Sequence, residues 1–361
     1  MFNIIKSKNP NVRLTFNFIL GLLVSVVLMS VFFFTLEIDS LVATLKTVNY
    51  WLIIPSVISY MISVFFRALR WKYLLIHLKH IRMKILYVVV VIGYMANSLL
   101  PMRIGELVRS YYLSKESNIS KSSVLATILV ERVLDAVTLL LFIGIGAIFV
   151  PMAGISSIVP FGINISSNIL AVLFVSIFFG TFLMLIIIAK NPSQSTSFAV
   201  KVTALLSLPF KSKIDSFIKT FFEGLISLRH LKNVVFLLIL SVPVWGFEAG
   251  VFSIMAHAFH INDVFDNWWQ FILLMVLTTS ISNVGSSVPA APGGIGLFEL
   301  VARETIVWLP FGNITRSVAG GYVAMVHAVL IIPLIILGQI FLWTMNFQSI
   351  RGVFSEEKYN L

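Results

Sequence analysis

Six apolar runs, at about 14–36, 50–66, 122–150, 168–189, 233–258 and 317–345, recur along the chain. A membrane-spanning helix needs roughly 17–25 mainly apolar residues. In hydrocarbon every backbone N–H and C=O must find a partner within the protein, which leaves helical bundles and closed barrels. Barrel strands alternate apolar and polar residues, and these runs do not. The expected fold is an all-α polytopic membrane protein forming one integral domain over 1–361. Composition agrees: 58% of residues are hydrophobic and 11% are charged, against about 25% charged in soluble domains.

The positive charges set an orientation. The net charge is +11, and it reads as cytoplasmic loops facing anionic lipid rather than a nucleic-acid surface. Lys6, Lys8 and Arg13 place the amino terminus inside, ahead of a run too long for a cleavable signal. The 67–84 loop, with Arg67, Arg70, Lys72, Lys79, Arg82 and Lys84, is also inside. "RALRWKYLL" within it fits interfacial anchoring. The 190–232 stretch carries Lys190, Lys201, Lys211, Lys213, Lys219, Arg229 and Lys232 and is inside as well. Its segment "SKIDSFIKTFFEGLISLRHLK" has apolar residues at helical spacing, as a surface helix or a cytoplasmic linker would. Loops 37–49, 151–167 and 259–266 are poor in basic residues and fall outside. Both termini are then cytoplasmic, in a multi-pass protein of the plasma (inner) membrane.

Two further apolar runs, about 85–100 and 267–290, end in Pro/Gly-rich sequence. If 85–100 crossed fully, Arg103, Arg109, Lys115 and Lys121 would lie outside, and so would the basic 190–232 stretch. A re-entrant hairpin over 85–115, entering from the cytoplasm, restores the charge rule. Asn97, Pro101 and Gly105 would form its tip. The second run carries the matching pattern: Pro101-x-x-Ile104-Gly105 and Pro292-x-x-Ile295-Gly296, each with a glutamate beyond it (Glu106, Glu299). By the same assignment a hairpin over 267–309, with Pro292, Gly293, Gly294 and Gly296 at its tip, enters from outside. The halves 1–189 and 233–361 would then form an inverted repeat with a site near midplane.

Charged residues mark that site. "ERVLD" places Glu131 and Asp135 one helical turn apart, with Arg132 adjacent. Glu248 lies in "VPVWGFEAGVF" without a charged neighbour in sequence, as a proton-exchanging carboxyl would. An isolated charge at the bilayer centre costs at least roughly 2.5–3.5 kcal/mol, so these groups need partners. Arg103 or Arg109 could neutralise Glu131 or Asp135 and pin the first hairpin. They could equally hold a ligand phosphate, which a guanidinium binds bidentately. The two arginines are six residues apart and need a backbone turn to converge. "PGGIG" lacks the Lys-Ser/Thr of a nucleotide loop, and the histidines show no metal spacing. No cofactor and no metal are expected. His327 reads as a packed, hydrogen-bonded side chain.

"RALRW" (67–71), "NSLLPMRIGELVR" (97–109), "ERVLD" (131–135) and "PAAPGGIGLFE" (289–299), in this order, make the sequence resemble the membrane domain of lysylphosphatidylglycerol synthases, the flippase-like domain family. The resemblance covers nearly the whole chain. It implies lipid translocation between leaflets, with Arg103, Glu106, Arg109, Glu131, Arg132, Asp135 and Glu299 lining a lipid headgroup site. Full-length synthases add a soluble aminoacyl-transfer domain. This sequence stops about fifteen residues after its last apolar run, so no catalytic residues are expected. The expected ligand is a phospholipid or modified anionic lipid, and a separate lipid-modifying enzyme is an expected partner. Two other readings remain open: a membrane glycosyltransferase with a lipid-linked donor, using the acids of "EID" (37–39), and a non-transporting partner of a lipid synthase.

Overall fold

The structure, a computed structural model, describes residues 38–100, 103–149, 190–205, 211–224, 229–287, 292–309 and 314–356, with isolated positions between 30 and 187. The apolar runs expected at 14–36 and 168–189, the 151–167 loop and Pro101 lie outside them. Every regular element among the described residues is helical.

Helix α1 covers Ile38–Thr47, and a 3-10 turn at Tyr50–Leu52 leads into α2, Ile53–Leu75. Helices α3 (Met83–Leu99) and α4 (Gly105–Ser117) form a hairpin, followed by the long α5, Lys121–Phe149. The basic stretch holds α6 (Pro192–Leu205) and α7 (Lys211–Gly224). The second half repeats the order: α8 (Leu231–Ala258), a hairpin of α9 (Trp268–Gly285) and α10 (Leu297–Trp308), then α11 (Arg316–Glu356). Tyr50–Leu75, Lys232–Ala258 and Arg316–Thr344 are long and apolar enough to cross a membrane. Helix α3 is apolar but only 17 residues long.

Small side chains decide how the helices meet. The buried face of α2 reads Ser56, Ser59, Ser63, Arg67, Arg70, a stripe at helical spacing. It lies along α8 over the most extensive helix–helix contact among the described residues. Ser59 Oγ donates to the Phe247 carbonyl at 2.7 Å and Ser63 Oγ to the Val244 carbonyl at 2.8 Å. Short hydroxyls let two backbones approach and bond across the gap, as in other membrane helix pairs. Arg67, Arg70 and Trp71, expected in a cytoplasmic loop, instead lie in α2, which continues through them and buries all three.

The first hairpin turns for local reasons. Leu100 is extended (φ −111°, ψ 144°), as the residue before a proline must be. The Asn97 side chain accepts the Gly105 N–H at 2.8 Å and ties the two arms together. Gly105 was expected at the loop tip. It is the first residue of α4, and what it supplies is room: a Cβ there would run into the Gly93 carbonyl and the Asn97 side chain. Left-handed backbone falls on Arg103 instead (φ 53°). In the second hairpin Gly293, Gly294 and Gly296 have φ of 63°, 73° and 90°, a region L side chains avoid.

Candidate functional site: an arginine-rich cavity between two hairpins

Five arginines from four segments converge inside the bundle. Arg70 donates to Asp135 Oδ1 at 2.7 Å and to Ser241 Oγ at 2.6 Å. Arg109 grips both oxygens of Glu131 at 3.0 Å each, with its guanidinium 4.1 Å from the centre of the Trp71 ring. Arg132 reaches Glu131 Oε1 at 2.6 Å and Asp135 Oδ2 at 3.2 Å. Arg67 binds Glu248 Oε2 at 2.5 Å, and Asn283 donates to the other Glu248 oxygen at 2.9 Å. Tyr94 Oη accepts from both Arg67 and Arg132, at 3.1 and 3.0 Å. Burying charges is tolerable only when they are paired, and here the pairing leaves only Nε of Arg70, Arg109 and Arg132 and Oδ2 of Asp135 without a hydrogen bond among the network's buried atoms.

Arg103 differs. Among the described residues no carboxylate lies within 4.0 Å of it, and its one hydrogen bond is a long contact (3.5 Å) to the Ser286 carbonyl. Its left-handed backbone costs about 1–3 kcal/mol, a strain that the residue after Pro101-Met102 sustains at the rim of the site. The five arginines face four carboxylates (Glu106, Glu131, Asp135 and Glu248), which leaves one positive charge in excess.

That excess sits on a cavity of about 180 Å³. Its lining is polar at Arg67, Arg103, Arg132, Tyr94, Asn97, Asn283 and Glu248 and apolar at Leu330, Ile331, Leu334 and Phe298. The two hairpins meet here. Gly293, at the tip of the second, lies against Ser98 at the end of α3, so a Cβ on Gly293 would come within 3.4 Å of the Ser98 carbonyl.

Glu299 does not join the arginine network. Its Oε2 accepts the Gly296 N–H at 2.7 Å and caps α10, while Oε1 meets His327 Nδ1 at 2.6 Å. His327 Nε2 faces the Gly293 carbonyl at 3.1 Å, and the ring stacks on Phe298. His327 is thus packed and hydrogen-bonded, and it also borders the cavity.

Of the residues expected to share one headgroup site, Arg103 and Arg132 line the cavity. Arg109, Glu131 and Asp135 form the buried layer behind it, and Glu106 stands 3.9 Å from Arg132 at a more exposed edge. Arg103 and Arg109 do not converge: Arg109 folds back over Gly93 to Glu131 while Arg103 turns toward Ser286. Glu248, without a charged neighbour in sequence, has one in space, Arg67. Sequence reasoning missed Arg67, Arg70, Tyr94, Asn283 and the role of His327. For the two arginines a signal existed: they continue the Ser56–Ser59–Ser63 stripe on the buried face of α2.

An arginine-rich cavity within a bundle of apolar helices defines an α-helical membrane protein with a polar site inside the bundle. The chain belongs to the family described as the lysylphosphatidylglycerol synthase transmembrane region, whose profile matches residues 18–338. It is similar to UPF0104 membrane protein MJ1078 of Methanocaldococcus jannaschii, 23% identical over 262 residues, which cover 73% of this chain and 97% of that protein. It is also similar to UPF0104 membrane protein MJ1595 of the same organism, 34% identical over 109 residues, 29% of this chain and 32% of that one. No solved structure matches the chain.

Proposed function

We propose that this protein moves an anionic lipid between membrane leaflets, holding the headgroup phosphate on Arg103 with Arg132 and Arg67 behind it. The observation that carries this reading is Arg103 itself: a guanidinium without a carboxylate partner among the described residues, at a cavity lined by both polar and apolar side chains. A phosphate would supply the missing charge through a bidentate contact. Leu330, Ile331 and Leu334 would carry the first carbons of the lipid tail. Arg109, Glu131, Asp135 and Glu106 position the arginines, and Glu299 shapes the opposing turn. In this reading the two hairpins enter from opposite faces and hold the ligand near midplane, as in a transporter built on inverted repeats; the close approach of Gly293 to Ser98 supports it. The protein then lies in the plasma (inner) membrane with both termini cytoplasmic, and receives its lipid from the bilayer or from a separate lipid-modifying enzyme.

The test is leaflet exchange of fluorescent phosphatidylglycerol in vesicles containing the purified chain. Arg103→Lys keeps the charge and loses the fork, so exchange should slow while stability stays near wild type. Arg103→Ala should slow it further. Wild-type rates in both variants would remove Arg103 from the site. A wild-type protein that exchanges no lipid would overturn translocation.

A further inference from the structure

The Glu299–His327–Gly293 chain carries a constraint on protons. Glu299 Oε1 meets Nδ1 of His327, and the Gly293 carbonyl meets Nε2. A carboxylate and a carbonyl are both acceptors, and a neutral imidazole has one N–H. Both contacts are hydrogen bonds only when the Glu299–His327 pair holds two protons, one on Nε2 and one between Nδ1 and Oε1. Written as imidazolium and carboxylate, or as imidazole and carboxylic acid, the pair is neutral. Both side chains are buried, and neutrality suits them there.

We propose that this pair is a proton-operated latch on the second hairpin: loss of one proton frees the turn at Gly293 from α11 and opens the cavity. With one proton the imidazole can serve only one neighbour. The 2.6 Å contact to a carboxylate is charge-assisted and outlasts the 3.1 Å contact to a carbonyl. The remaining proton therefore stays on Nδ1, and the Nε2 lone pair then faces the Gly293 oxygen. Two acceptors 3.1 Å apart repel, so the turn moves off. The departing proton leaves Nε2 for water in the cavity, which His327 and Gly293 both border. The turn can move because Gly293 and Gly294 hold it in a region free of side-chain restraint. Its movement matters because Gly293 lies against Ser98, where the hairpin tips close the cavity between them.

The other ionisable groups facing this cavity are Tyr60 and Arg67 on α2, Tyr94 on α3, Arg103 at the first hairpin turn, Arg132 on α5 and Glu248 on α8. Arg67, Arg132 and Glu248 are bound to one another or to α5 carboxylates, and arginines keep their charge throughout. An anionic lipid drawn to Arg103 would favour the doubly protonated, latched form. Lipid binding and proton uptake are coupled in this way, which ties lipid movement to the proton gradient. This last step rests on the translocation reading; the latch does not.

Hydrogen–deuterium exchange of the full chain in nanodiscs separates the two. The backbone of 293–299 should lose protection, after correction for intrinsic rates, as pH is raised from about 5 to 8. His327→Gln, which cannot titrate, should hold one protection level throughout. In vesicles with fluorescent phosphatidylglycerol, wild-type exchange should accelerate with pH, up to about tenfold per unit for one proton, and His327→Gln should be flat. If wild type shows the pH-linked loss of protection but moves no lipid, the latch stands and translocation falls. If wild-type 293–299 protection is independent of pH, or His327→Gln keeps the wild-type dependence, the latch is overturned. The wild-type arm decides this even if His327→Gln fails to fold.

Discussion

Arg109 and Arg103 lie six residues apart in one motif, and the structure gives them different surroundings whose consequences mutation can separate. Arg109 is 2% exposed, bonded to both Glu131 oxygens at 3.0 Å and stacked over Trp71. Removing one partner of a buried ion pair costs about 3–5 kcal/mol. In Arg109→Ala, Glu131 keeps Arg132 at 2.6 Å and Arg70 at 4.0 Å, so the loss belongs at the lower end, about 3 kcal/mol. Glu131→Gln leaves the Arg109 guanidinium without a carboxylate at bonding distance among the described residues. Its loss belongs at the upper end, about 5 kcal/mol. Arg103→Ala breaks only a 3.5 Å contact to a carbonyl, and its stability should stay within about 1 kcal/mol of wild type. Thermal or denaturant unfolding in detergent, with folded yield, reads the first pair; leaflet exchange in vesicles reads the last. Wild-type stability of Arg109→Ala together with lost exchange would make Arg109 a ligand contact and refute its structural role.

The topology reading is checked by single-cysteine labelling, which has no background because the chain has no cysteine: Ser114→Cys and Ser122→Cys should react only from the cytoplasm and Ser157→Cys only from outside, and outside labelling at Ser114 would mean that the first hairpin crosses. Gly105→Ala places a methyl on the Gly93 carbonyl and should cost about 1–3 kcal/mol in unfolding measurements, whereas an unchanged unfolding midpoint would show that α3 and α4 separate easily. Glu248→Gln leaves Arg67 with only the more distant Asp135, at 3.7 Å, and should lower stability by about 3 kcal/mol with reduced folded yield. Full stability there would mean that Arg67 needs no counter-ion.

The sequence by itself determined the class of fold and the places where it breaks. Long apolar runs admit only helices in a bilayer, and Pro101 with the "PGGIG" glycines interrupts them by local sterics that no tertiary contact has to enforce. Leu100 is extended because a proline follows it, and the "PGGIG" turn has positive φ because glycine permits it. Family motifs and the charged residues of "ERVLD" were legible for the same reason: charge in an apolar stretch stands out. Partnership was not legible. Glu248 meets Arg67 from 181 positions away, and Arg70 meets Asp135 across 65. Periodicity shows which face of a helix is buried but not which face of another helix it meets. The loop boundary at 67–84 was misplaced because arginine counts as a cytoplasmic signal in a linear reading; only packing on α8, through Ser59 and Ser63, shows that α2 carries its arginines inward. Tertiary structure alone decided that Arg109 is consumed by Glu131 while Arg103 has no carboxylate within 4.0 Å among the described residues. Arg103 sits in the turn, beyond reach of the acids on α5, whereas Arg109 lies on α4 where Gly93 leaves room for its side chain to cross to them.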